Sequence, residues 1–295
     1  MKYLIYSLFF LISVLPEPIP YFLSKFIRFL LQYIVKYRKN VINNNLTSCF
    51  PQKSGKEIKE LMSRYYRNFA EVLIETVKLT TIRKKSLLKM VKLIENEDFK
   101  TFTSVQGNIM IYFSHRGNFE IGSQFLGLYL NKMVYGAYKP FKNKQVEWLW
   151  HKLRNRFMTR AIPVRQIVKT IFENEGKGII YGFLNDQSPT LGDNHSWFRF
   201  LGKDTIFFTG PEMIARKFNH PVFFGDLRRI RYGRYEGSLR LLSLNPANSE
   251  PGTLTSLYVK ALENAIISDP ANWLWSHNRW KHHPTGNNFK ISENG

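Results

Sequence analysis

From residue 108 onward, short apolar runs recur between stretches of helical periodicity, and this alternation narrows the folds open to the chain more than any other feature. The runs that read as strands are 108–113, 132–138, 178–184, 221–227 and 238–244. Helical patterns fall near 119–130, 143–158, 165–175, 209–218 and 253–268. Such a rhythm predicts an α/β domain with a mixed central sheet flanked by helices. Ahead of it, Ser54-Gly55-Lys56-Glu57 has the form of a capping box and opens an amphipathic run to about Leu79, which predicts a helix. The stretch carrying Asn43-Asn44-Asn45 and Phe50-Pro51 reads as a loop before it. No internal repeat or low-complexity tract is present, and 295 residues suffice for one large domain.

The first forty residues differ from the rest. Two apolar blocks, 3–15 and 19–35, are separated by prolines at 16, 18 and 20. Neither is a clean span of about 20 apolar residues, and 15–18 offers no small-residue cleavage site. In the second block Phe22, Phe26, Phe29, Leu30, Tyr33 and Ile34 share one helical face while Lys25 and Arg28 lie on another. That pattern fits a helix lying in a membrane interface, with Lys36, Arg38 and Lys39 against anionic headgroups. A two-helix hairpin packed on the core accounts for the same pattern. The net charge of +21 favours the membrane, because such a field draws anionic partners. The chain is therefore divided into membrane-associating helices, 1–40, and an α/β domain, 41–295.

The stretch Ser114-His115-Arg116-Gly117-Asn118-Phe119-Glu120 follows the first apolar run directly. A strand would end there and a helix begin, and in open α/β sheets ligands bind at that edge. Histidine is a base near neutral pH, and a carboxylate on its other ring nitrogen fixes the tautomer. His115 and Glu120 therefore suit a base and its orienter, removing a proton from a hydroxyl during acyl transfer. The spacing is equally compatible with Glu120 capping a helix and His115 resting in a turn.

Other features have simpler accounts. The basic and aromatic stretch 228–235 reads as a strand pair joined by a glycine turn. No zinc-finger, RNP-type or P-loop signature accompanies it, so nucleic acid is not an expected partner. His277, His282 and His283 have no acidic residue between them, and no metal is expected. Cys49, the single cysteine, rules out an internal disulfide and reads as a small buried side chain. Trp148 and Trp150 fit helix packing.

Taken in order, several blocks resemble the lysophospholipid acyltransferase superfamily, and within it the bacterial late acyltransferases of lipid A that add lauroyl or myristoyl chains. The blocks are the apolar amino terminus, 43–51 with its asparagines and Phe50-Pro51, the H-x4-D/E signature at His115 and Glu120, Tyr138-Lys139-Pro140, an arginine aligned with Arg154, and Asn185-Asp186-Gln187-Ser188-Pro189. They continue with Thr209-Gly210-Pro211 to Pro221-Val222, and close with Trp273 to Lys281 in the pattern W-x-H-x-R-x-K. The resemblance covers nearly the whole chain. Glycerolipid members usually carry Asp in the signature and a later F-P-E-G; this chain has Glu120 and lacks that segment, which favours the lipid A branch and leaves the acceptor lipid open.

The resemblance implies a glycerolipid acyltransferase-like fold and an O-acyltransferase. Its acyl donor would be an acidic acyl carrier protein, its acceptor a phosphorylated glycolipid, and its place the cytoplasmic face of the inner membrane, with no further cofactor and no covalent enzyme intermediate. His115 would be the general base, Glu120 its partner, and Arg154, Arg156 and Asp186 residues that support the site or bind substrate, with Arg154 and Arg156 interchangeable in the alignment.

Overall fold

A computed structural model describes residues 2–190 and 192–283. The amino-terminal part is helical: α1 (Lys2–Val14), α2 (Pro18–Phe29, continued by a π turn over Leu30–Ile34), α3 (Lys39–Cys49), α4 (Gly55–Lys78) and the short α5 (Lys84–Leu88). There follow β1 (Val91–Leu93), α6 (Glu97–Ser104), β2 (Ile109–Phe113), α7 (Phe119–Leu130), β3 (Val134–Tyr138), α8 (Lys144–Arg154), β4 (Thr159–Pro163), α9 (Ile167–Glu173) and β5 (Ile180–Leu184). The last part holds β6 (His195–Phe200), β7 (Lys203–Phe208), α10 (Gly210–Phe218), β8 (Val222–Arg231), β9 (Arg234–Ser243) and α11 (Thr253–Ser268).

The central sheet has the order β1-β9-β8-β2-β5-β3-β4. β2 runs parallel to both β5 and β8, while β9 is antiparallel to β8, so the sheet is mixed as expected. The central position of β2 follows from its residues: Ile109 to Tyr112 are all buried, and only a strand covered on both faces hides an unbroken apolar run. Because β2, β5 and β8 point the same way, their carboxyl ends meet at one edge. β6 and β7 form a separate hairpin turned by Leu201 and Gly202, both at positive φ.

The expected capping box at α4 is formed. Glu57 receives the Ser54 backbone N–H at 2.8 Å, and Ser54 Oγ accepts from the Glu57 N–H at 3.3 Å. The basic and aromatic stretch 228–235 forms the expected hairpin of β8 and β9, with Gly233 in the turn. The asparagine-rich stretch is not a loop but α3. Asparagine is a poor helix former, but here Asn45 Nδ2 donates to the carbonyls of Trp275 and His277 at 2.8 and 2.9 Å, and that buried contact overrides local preference. The helix expected over 143–158 stops at Arg154, and the edge strand β4 begins five residues later. Cys49 is buried as expected, and burial pushes its thiol up to about 12.

α1 and α2 dock on α4. Ser13 Oγ donates to the Lys78 carbonyl at 2.9 Å, and Arg28 donates to Ser63 Oγ at 2.8 Å. Trp148 of α8 packs edge-on against Tyr3 and Tyr6 of α1. Docking leaves a large apolar surface in the open: Leu4 is 75% exposed and Phe22 63%, and Leu8, Leu11, Phe26, Tyr33 and Ile34 are exposed beside them. Among the described residues, no helix is long and apolar enough to cross a membrane.

Candidate active site

β2 ends at Phe113, and the chain turns through Ser114 to Asn118 before α7 begins. Asn118 caps the helix, its Oδ1 accepting from the Ile121 N–H at 3.2 Å. Gly117 has φ +64°, and a Cβ there would lie well inside contact with the Leu227 carbonyl oxygen on β8. Its N–H donates to the Asn272 carbonyl at 3.0 Å. The turn is therefore wedged between β8 and the carboxy-terminal segment. Gly117→Ala is expected to displace it and to cost about 3 kcal/mol or more, combining a left-handed backbone with a backbone clash. Gly136→Ala, where a Cβ meets nothing within 4 Å, is the control. Similar melting temperatures for the two variants would refute this reading of Gly117.

The turn holds His115 at the carboxyl edge of the sheet, its side chain 15% exposed. Its Nδ1 lies 2.7 Å from Asp186 Oδ1, and its backbone N–H donates to Asp186 Oδ2 at 2.8 Å. The indole N–H of Trp273 donates to the same oxygen at 2.8 Å. Asp186 follows β5, the parallel neighbour of β2, so sheet pairing brings the two residues together across 71 positions of sequence. Burial acts to raise the Asp186 carboxyl, but the facing His115, its two hydrogen bonds and the Trp273 indole outweigh that and hold it below the ordinary carboxylate value. An ionised Asp186 accepts the Nδ1 proton, which leaves Nε2 as the bare ring nitrogen. The side-chain amide nitrogen of Gln187 stands 3.1 Å from it, a donor facing an acceptor.

The sequence reading assigned Glu120 as the carboxylate on His115, and the structure corrects this. Glu120 sits in the first turn of α7, where Arg154, the last residue of α8, grips it: Nε donates to both oxygens at 2.8 and 3.1 Å, and a terminal nitrogen donates at 2.6 Å. The guanidinium also lies over the rings of Trp150 and Tyr138, at 5.1 and 5.7 Å. The blocks at Glu120, Tyr138 and Arg154 therefore meet: Glu120 and Arg154 form an ion pair that braces α7 against α8, and the Tyr138 ring lies against the guanidinium. Arg156 does not join them. It donates to the carbonyls of Leu79 and Ile82, closing the chain after α4, so the two arginines are not interchangeable.

Sequence reasoning gave no role to Trp273, Gln187 or Arg116. Trp273 and Gln187 stand in quoted blocks, but only the fold shows that they touch the pair. Arg116 is fully buried and donates to both oxygens of Asp226 at 2.6 and 2.5 Å, while its backbone bridges to Trp273. Beside it runs a narrow crevice of about 40 Å³ lined by Phe113, Phe119, Phe125, Leu126, Leu227 and Leu239.

The match to known proteins decides the family. Residues 1–282 fit the model of the bacterial lipid A biosynthesis acyltransferases. The chain belongs to that family. Relatives include a lipid A biosynthesis lauroyltransferase of Escherichia coli (strain K12), 24% identical and covering 94% of this chain and 90% of that enzyme. A lipid A biosynthesis palmitoleoyltransferase of the same organism is 23% identical over 92% of this chain and 88% of its own, and a lipid A biosynthesis acyltransferase of Haemophilus influenzae is 22% identical over 81% and 74%. As a lipid A acyltransferase, the protein is an enzyme that transfers an acyl group to oxygen.

Of the histidines at 277, 282 and 283, His277 holds the loop that carries Asp186 and Gln187. Burial, with Arg279 beside it, pushes its imidazole down from 6.5 to about 4, so it is neutral near pH 7 and accepts the Ser188 N–H at 3.0 Å. Between those two pH values the unfolded chain binds a proton at His277 and the folded chain does not, so stability falls as pH drops through this window. His277→Gln keeps an acceptor without a protonation site. It is expected to flatten the acid decline in melting temperature between pH 6.5 and about 4, and a decline equal to that of the parent protein would refute the assignment.

Proposed function

We propose that His115 acts as general base in direct acyl transfer from acyl carrier protein to a hydroxyl of a lipid A precursor. The observation that carries this is the 2.7 Å contact between His115 Nδ1 and Asp186, which fixes the tautomer and leaves Nε2 to take a proton once the substrate hydroxyl displaces the Gln187 amide from it. Nε2 removes the hydroxyl proton as the oxygen attacks the thioester carbonyl. Asp186 stabilises the imidazolium so formed. When the tetrahedral intermediate collapses, the C–S bond breaks and the proton passes from Nε2 to the departing thiolate. The chain's own nucleophiles support a single transfer without an acyl-enzyme: among the described residues the two ring nitrogens of His115 face Asp186 and Gln187, not a serine or cysteine, and Cys49 is buried with its thiol protonated.

Glu120 and Arg154 hold α7, and with it the His115 turn, in register with α8. The apolar crevice beside Arg116 is the place for the acyl chain. As it stands it has room for only about one or two water-sized groups, so Phe113 and Phe119 part when a chain enters. The exposed apolar faces of α1 and α2, within segment 1–40, rest in the cytoplasmic face of the inner membrane. The +21 field draws the acidic carrier protein, the anionic membrane and a phosphorylated acceptor to residues 41–295.

Mass spectrometry of lipid A from a strain lacking the gene tests the reading. The expected result is a species short by one acyl chain, restored by the wild-type gene. An unchanged acylation pattern would move the acceptor to another class of lipid.

A further inference from the structure

Away from the His115 turn, but at the same edge of the sheet, the end of β8 and the α2–α4 pair enclose a cleft. One part, of about 590 Å³, is lined by Arg64, Arg67, Arg229, Arg231, Tyr232 and Asn272 among others. A second part, of about 400 Å³, shares Tyr21, Arg67 and Glu71 with it and runs out past Lys25, Arg28, Phe29 and Tyr33. Together six basic side chains line the cleft against two carboxylates, Glu71 and Asp269. Arg229 is matched by Glu71 and by the buried Glu75 behind it, and Arg64 by Asp269, which leaves three of the six cations in excess. Arg67 and Arg231 are exposed and have no acidic partner among the described residues. The Tyr232 hydroxyl is buried without a hydrogen-bond partner among those residues.

An excess of cations and an unsatisfied hydroxyl in a cleft call for an anion with several acceptor oxygens. The outer end identifies the rest of the ligand. Phe29 and Tyr33 line it, and Phe22 and Phe26 continue the exposed apolar face of α2, so the anion is attached to a molecule with hydrocarbon tails. The inner end abuts the His115 turn: Asn272 lines the cleft, and its carbonyl receives the Gly117 N–H, two residues from His115. We infer that this cleft binds the phosphate headgroup of a lipid and that its occupant during catalysis is the acceptor, anchored by its phosphate so that a hydroxyl reaches His115. The assignment of the occupant rests on the acyl transfer proposed above; the binding of a lipid phosphate does not.

The double substitution Arg67→Glu/Arg231→Glu tests both parts, since neither side chain holds the fold together. In neutral detergent micelles, phosphatidic acid is expected to bind the full-length protein, and the variant about tenfold or more weakly, as the loss of charge-assisted contacts implies. Phosphatidylcholine should not distinguish the two proteins. Equal phosphatidic acid affinity would overturn the site. In transfer assays the variant's KM for a phosphorylated acceptor is expected to rise about tenfold with a much smaller change in kcat, and the difference should vanish for an acceptor lacking phosphate. A KM change independent of the acceptor's phosphate, accompanied by weaker sedimentation with phosphatidylglycerol vesicles, would instead make the occupant bulk membrane lipid and overturn the acceptor assignment. Failure of the parent protein to transfer acyl groups would sink the proposed reaction, while the micelle measurement would still decide the site.

Discussion

Asp186→Asn is expected to lower acyl transfer by about 10³- to 10⁴-fold with the fold intact, as loss of the orienting carboxylate does in enzymes that use a His–Asp pair. Three contacts converge on this carboxylate: the His115 ring, the His115 backbone N–H and the Trp273 indole N–H. Asparagine is nearly the same size, so packing against β5 is kept. Its amide, however, has only one oxygen for two backbone and indole donors and the ring. With that oxygen taken by the N–H groups, the NH2 group faces Nδ1, which must then act as acceptor. The proton moves to Nε2, and the ring can no longer take one from a hydroxyl. Glu120→Gln provides the contrast. It weakens the clasp on Arg154 but leaves the tautomer of His115 alone, so its loss should be about 10- to 100-fold smaller. Steady-state rates of the two variants, with melting curves to confirm folding, make the comparison. A larger loss in Glu120→Gln would return the orienting role to Glu120.

The difference between those carboxylates also shows how far the chain could be read without its fold. The turn after β2 was legible because Ile109 to Phe113 is an unbroken apolar run followed by a histidine, a glycine and an asparagine, which is local information. His115 and Glu120 are close in sequence, but the fold turns their side chains to different partners. Asp186 is the partner because β5 lies between β2 and β3 in the sheet, although three helices and two strands separate β2 from β5 in the chain. No periodicity encodes that insertion. The same limit hid Trp273, which reaches Asp186 from the carboxy-terminal segment.

Local preference failed where tertiary contacts outweighed it. Asn43-Asn44-Asn45 looks like a loop until Asn45 is seen bonded to the carbonyls of Trp275 and His277, which makes α3 a strut between the amino-terminal helices and segment 273–281. β4 was lost in the tail of an expected helix because Thr159–Pro163 is an edge strand, short and half-exposed, with no apolar alternation to announce it. The β6–β7 hairpin did carry a signal: aromatic residues at Trp197, Phe198, Phe200, Phe207 and Phe208 around a Leu201-Gly202 turn.

The remaining large effect belongs to His115 itself. His115→Asn retains an amide nitrogen at the position of Nδ1 that can donate to Asp186, so the buried carboxylate keeps a partner and the turn its shape. What it removes is a group able to accept a proton and return it, a contribution of about 10²- to 10⁴-fold. The decisive measurement is single-turnover transfer from acyl carrier protein to the lipid A precursor in vesicles, with saturating enzyme. The expected result is a rate at least a hundredfold below the parent protein, with vesicle binding and melting temperature retained. Transfer within a few-fold of the parent would contradict the assignment of His115 as the base.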